Sequence, residues 1–180
     1  MATPATPETG PRLLIRPARE DDAGALREIF NEAIQDDLAT FDTEPRNIEQ
    51  QRQLILASTE DSRHPLLVAE LRGWALGWIT IQYYDLRPEL QDVGEVSLYV
   101  RRSFRSYGVG RQLMRAGQNE AAILGYRKLI GRVLADHHGS LRLCLVSGWR
   151  EVGRHEKHAR HPNGLRDVVV LEYLVPQQKS

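Results

Sequence analysis

A single cysteine, Cys144, has no other thiol to pair with in the 180-residue chain. That excludes an internal disulfide framework and points to a reducing, cytoplasmic setting. An excess of either charge is missing too. The 24 Lys and Arg balance 24 Asp and Glu, so no net field draws the molecule to nucleic acid or anionic membrane, and neither is expected as a partner. Long apolar runs are also lacking. The longest stretch without a charged residue, Gly73 to Tyr84, spans about 12 residues and includes Thr80 and Gln82, too short to cross a bilayer. No basic segment leads into an apolar one near the start, so no signal peptide is expected. Residues 1–12 hold three Pro and three Thr and little that could offset the entropy of ordering, so they read as a frayed tail. Residues 13–176 read as one domain.

Within that domain, Leu14-Ile15-Arg16-Pro17 predicts a short strand, followed by a helix capped by Asp21 or Asp22. Leu26, Ile29, Phe30, Ala33 and Ile34 give this helix one apolar stripe. Pro45-Arg46-Asn47 opens a second helix, with Ile48, Ile55 and Leu56 expected on its inner side. Leu66–Leu71 and Trp74–Tyr83, joined at Arg72-Gly73, predict a β-hairpin. A strand is expected over 94–100 and a helix from Val109 to Leu124, its stripe including Ile123 and its stop at Gly125. A strand at 128–134, a short helix at 140–146, a strand from Trp149 and a buried strand over 167–175 complete the chain. The order β, α, α, β, β, β, α, β, α, β, β combines an antiparallel meander with a strand–helix–strand crossover. It predicts an α/β fold with one mixed sheet and helices packed on it.

The most informative stretch runs from Leu98 to Arg111, where a strand enters a loop containing Gly108 and Gly110 and a helix begins. Two missing β-carbons let the backbone approach a ligand. The free N–H groups of the helix start, with the positive dipole end behind them, form an anion cradle. Arg101, Arg102, Arg105, Arg111 and Arg115 cluster there and suggest a phosphate-rich ligand. A dinucleotide fingerprint would need a glycine where Leu113 stands, and a P-loop would need Lys-Ser/Thr where Arg111-Gln112 stand.

Arg105-x-x-Gly108-x-Gly110 between a strand and a long helix resembles the acetyl-CoA motif of the GNAT acetyltransferase superfamily. Four further stretches look like its phosphinothricin acetyltransferase group: Ile15–Ala18, Thr40–Pro45, Gly94–Val100, and Gly148-Trp149 with Gly164 and Asp167–Val169. The resemblance implies a GNAT fold whose fourth and fifth strands part to admit CoA, with no metal. Its expected acceptor is a small amine, an amino acid or analogue of the phosphinothricin or methionine sulfoximine type, and its expected assembly a homodimer. A polyamine or protein N-terminus as acceptor, and a non-catalytic acyl-CoA-binding module, are the alternatives.

By the same resemblance, Arg105, Ser106, Tyr107, Gly108, Val109, Gly110 and Arg111 hold the pyrophosphate. Leu98, Tyr99 and Val100 bind the pantetheine arm through their backbone, as an added strand would. Glu95 matches the group's general base, which desolvation in a cleft would strengthen. Two positions depart from the family. His137 stands where Asn commonly holds the pantetheine, and Cys144 stands where Tyr or His protonates the departing sulfur. A histidine can donate through one ring nitrogen, and a thiol can act as an acid or simply fill space. Phe41 lines the acceptor pocket in the group, or is a core phenylalanine; Tyr83 and Tyr84 line that pocket or its rim. His155, His158 and His161 recur at a spacing that invites zinc. In a regular strand, however, His158 would face away from the other two, so a polar hairpin turning at Pro162-Asn163-Gly164 is favoured.

Overall fold

The computed structural model describes residues 13–37 and 41–176. The expected tail, residues 1–12, and Thr40 lie outside the described residues. The elements are β1 (Leu14–Pro17), α1 (Ala23–Gln35), α2 (Ile48–Glu60), β2 (Leu66–Leu71), β3 (Trp74–Tyr83), β4 (Val93–Val100), α3 (Val109–Ile123), β5 (Lys128–Leu134), α4 (His138–Val146), β6 (Arg150–His161) and β7 (Gly164–Leu174). This is the order the sequence predicts.

The seven strands form one sheet in the order β1-β2-β3-β4-β5-β7-β6. Every neighbouring pair is antiparallel except β4 and β5, which run parallel because α3 carries the chain back between them. Alternate side chains serve two cores. Val68 and Trp78 pack with Leu26, Ile29 and Phe30 of α1 and Ile55 of α2. Ala69, Ile79 and Ile81 pack with Leu113, Met114 and Ala121 of α3 and with Trp149 and Leu171. Among the described residues no helix is long and apolar enough to cross a membrane.

Several local expectations are corrected. Asp22 precedes α1, but its carboxylate accepts from the Arg19 N–H and pairs with Arg16 instead of capping that helix. In α2 Ile55 is buried, while Ile48 and Leu56 are exposed. Leu56 lies about 100° around the helix from Ile55, and the inward position one turn before Ile55 is Gln51. The α2 start is as expected: the Asn47 side chain accepts from the Gln50 N–H, and Gln50 reciprocates. Ile123 is exposed because it lies roughly opposite buried Ala121 on α3. Gly125, at φ +77°, ends that helix in the left-handed region.

The β6–β7 hairpin turns where the sequence places it, but its register shifts between His155 and Ala159. The strict alternation assumed for the three histidines therefore fails. The His155 and His158 rings stack at 4.7 Å, whereas buried His161 pairs with Asp37 at 2.6 Å. No group of three or more His, Cys, Asp or Glu is placed to hold a metal ion among the described residues.

Candidate active site

Parallel pairing of β4 with β5 stops at Glu95 opposite Ile130, although β4 stays paired with β3 to Val100 and β5 with β7 to Leu134. The two strands therefore part. From Val96 to Val100, β4 has a strand partner on one side only, a strand edge of the kind an extended ligand can join.

Two cavities open at this fork. The larger, about 560 Å³, is lined by Leu98–Val100 of β4, by Arg105, Ser106, Gly108, Gly110 and Arg111 of the loop and α3 start, and by His137, Ser140, Arg142 and Leu143 at α4. The smaller, about 230 Å³, contains Phe41, Gln82, Glu95, Arg132, Cys144 and Trp149. Leu98, Tyr99, Ser140 and Leu143 line both. Val109 is buried in the core, and the Tyr107 side chain is mostly exposed; neither lines the slot.

The loop's geometry suits a diphosphate. Ser106 and Gly108 both have positive φ, at 66° and 83°. Gly108 occupies the N-cap of α3 with nothing within 4 Å of where a β-carbon would stand. The free N–H groups of α3 therefore open onto the slot without a side chain over them. A β-carbon at Gly110 would point at Leu143, Val100 and Leu98, which line the same slot.

The arginine cluster is smaller than the sequence suggests. Arg101 pairs with Glu28 and Glu32, and Arg102 with Asp36. Arg105 lines the slot, but its guanidinium bonds Val100 O and the Asp36 carboxylate. Arg115 does not line it, whereas Arg142, unremarked in the sequence, does. Arg111 and Arg142 are thus the slot's cations without an acidic partner among the described residues.

Asp36 ties α1 to the loop. Burial pushes its carboxyl up, but hydrogen bonds from Arg102 and Arg105 outweigh that and leave it below the ordinary 3.8. A carboxyl lowered on folding contributes its full stabilisation above the unfolded value and loses it as pH falls through the folded one. Asp36→Asn is therefore expected to lower Tm at pH 7, with the deficit shrinking as pH drops below about 4. A deficit unchanged in melts at the acid end would remove this tie.

His137 sits at the N-cap of α4, its Nδ1 accepting from the Ser140 N–H at 3.0 Å. Burial lowers its pKa and favours the neutral ring, so the proton resides on Nε2, a donor beside the slot. Cys144 is buried in the smaller cavity's wall, and burial raises its thiol to about 11.

Glu95 shares the cleft with a cation. Its two oxygens accept from Arg132 Nε at 2.6 Å and Nη2 at 2.8 Å. Phe41 lies in the same wall, with Arg132 Cζ 5.7 Å from its ring centroid, and is not a core phenylalanine. Tyr83 is not brought there. Its ring lies tilted against that of His64, with centroids 3.8 Å apart, and its hydroxyl donates to Asp61, while Gln82, paired across β3–β4 with Glu95, lines the cavity instead. Tyr84 is likewise outside that lining.

A glycine-bearing helix mouth beside an open strand edge, leading to a carboxylate in a second cavity, is the arrangement a group-transfer enzyme needs to hold a phosphate-bearing carrier. The acetyltransferase (GNAT) domain family matches residues 12–150, and the chain belongs to that family of N-acetyltransferases. YwnH of Bacillus subtilis (strain 168) is 32% identical over 142 residues, 78% of this chain and 86% of YwnH. The phosphinothricin N-acetyltransferase of Streptomyces coelicolor is 27% identical over 160 residues, 88% and 94% of the two chains. The fold also matches yncA from Salmonella typhimurium, solved with its cofactor acetyl-CoA. There the TM-score is 0.88 at 20% identity over 94% of this chain and 97% of that one.

Proposed function

We propose that the chain transfers the acetyl group of acetyl-CoA directly to the amine of a small amino acid or analogue of the phosphinothricin type. The observation that carries this reading is the meeting of two cavities at the β4–β5 fork, one ending in an anion cradle and the other holding Glu95. The Streptomyces coelicolor relative supports the acceptor class by its name.

Acetyl-CoA supplies an activated thioester, whose C–S bond breaks as the N–C bond to the acceptor forms. The α3 amides, Arg111 and Arg142 would hold its phosphates. The β4 strand edge beyond Glu95 and the His137 Nε2–H would hold the arm and polarise the carbonyl. Glu95 takes the proton lost by the acceptor's ammonium, directly or through water.

The departing thiolate then needs a proton. An ordinary thiol titrates near 8.5, so Cys144, held at about 11, would donate uphill by on the order of 3 kcal/mol. Water is therefore assigned as the donor. Thiol release from acetyl-CoA, followed against an amine panel, is expected with amino-acid acceptors. Cys144→Ala should keep kcat within about threefold, because loss of a true general acid would cost about 10²–10⁴. Binding of CoA without release across the panel would reject the proposed reaction.

A further inference from the structure

Glu95 occupies only one edge of the Arg132 guanidinium. Nε and one Nη2 hydrogen point to Glu95, and the remaining donors meet no acceptor among the described residues. The Arg132 side chain is 42% exposed and stands in the wall of the smaller cavity. The other cation of that wall, Arg46, is differently engaged: it pairs with Asp42 at 2.7 Å and lies over the Phe30 ring at 3.9 Å. Both arginines keep unspent donors, but only Arg132 also holds Glu95, so only its free edge lies beside the carboxylate that would take the acceptor's proton.

The charge pattern selects among acceptors. Asp42 and Glu95 are matched by Arg46 and Arg132 in one lining, so a polyamine would bring further positive charge against two guanidinium groups. In an α-amino acid the ammonium and carboxylate sit on either side of a single carbon. A site that reads both must present an anion and a cation side by side, as Glu95 and Arg132 are presented. Guanidinium binds carboxylate through two parallel N–H donors, and the Nη1–Nη2 edge retains such a pair.

Resting on the acetyl-transfer reading of this site, we infer that Arg132 binds the acceptor's carboxylate on the free edge of its guanidinium while its other edge holds Glu95 for the acceptor's ammonium. The acceptor is then a free α-amino acid, and its carboxylate is a recognition element. Arg132 acts on specificity through this contact and on Glu95 as a positioning residue.

The test uses phosphinothricin, methionine sulfoximine and the common L-amino acids, each beside its α-carboxamide, titrated calorimetrically into the CoA-loaded protein. The carboxamide's amine is less basic and more often neutral, so amine chemistry alone would favour it. The parent is expected to prefer at least one free acid over its amide by about 10- to 100-fold in Kd. In Arg132→Gln that preference should fall within about threefold, chiefly by loss of acid binding, with Arg132→Lys intermediate. In turnover assays the change should appear in KM more than in kcat. Unchanged Tm and CoA affinity in either variant exclude a folding effect. A preference that survives in Arg132→Gln, or that the parent never shows, overturns the inference. If no amine is acetylated yet the calorimetric preference depends on Arg132, the acetyl-transfer reading fails and this recognition stands.

Discussion

Glu95→Gln is expected to lower kcat by about 10²–10⁴ while leaving CoA affinity at the parent value, measured by thiol release and by titration. Glutamine keeps the shape and one acceptor oxygen at the end of the β4–β5 pairing, but it cannot take up the ammonium proton. Folding should hardly change, because the Glu95–Arg132 pair is partly solvent-exposed, 21% and 42% on its two sides, and such pairs contribute at most about 1 kcal/mol. Activity and stability thus separate cleanly in this variant. Turnover within about threefold of the parent would place the proton acceptor elsewhere and leave Glu95 only a partner of Arg132.

The second large effect concerns the cradle. Gly108→Val should weaken CoA binding by at least about 100-fold, since β-branched bulk would stand over the helix mouth where phosphate oxygens meet bare amides. The backbone there has φ +83°, so the substitution also strains the chain by about 1–2 kcal/mol. Gly73→Val provides the matched control. Gly73 has φ +81° with equally open surroundings, but it lies in the β2–β3 turn away from the slot. It should lose comparable stability yet bind CoA normally. Parent-like CoA affinity in Gly108→Val, or an equal loss in Gly73→Val, would show that the cradle is not the binding determinant.

Signals carried by near neighbours were legible in the sequence. The stripe of α1, the Asn47 cap, the Arg72-Gly73 turn and the stop at Gly125 are set within a few residues, and all four stand in the structure. The glycine-bearing loop before α3 was legible for the same reason. Exposure at helix margins was not, because Ile48, Leu56 and Ile123 are apolar positions whose burial depends on what stands opposite them. Tyr83 stands outside the cavity lining because its neighbour Gln82 holds the position paired with Glu95. The histidine alternation failed because a bulge in β6 is set by its pairing with β7.

Local patterning in the chain by itself determined the element order, the crossover that makes β4 and β5 parallel, and the side-chain-free helix mouth at Gly108. Only the tertiary structure decided which charges remain available for ligands. Arg105 and Asp36 are 69 residues apart, and Arg132 and Glu95 are 37 apart. Such partners are fixed by strand register and helix placement, and a charge already committed to one partner has fewer donors left for another. For that reason only Arg111 of the five arginines near the glycine loop remains an acid-free cation in the slot, where Arg142 joins it, while an arginine with no signature of its own comes to stand beside Glu95.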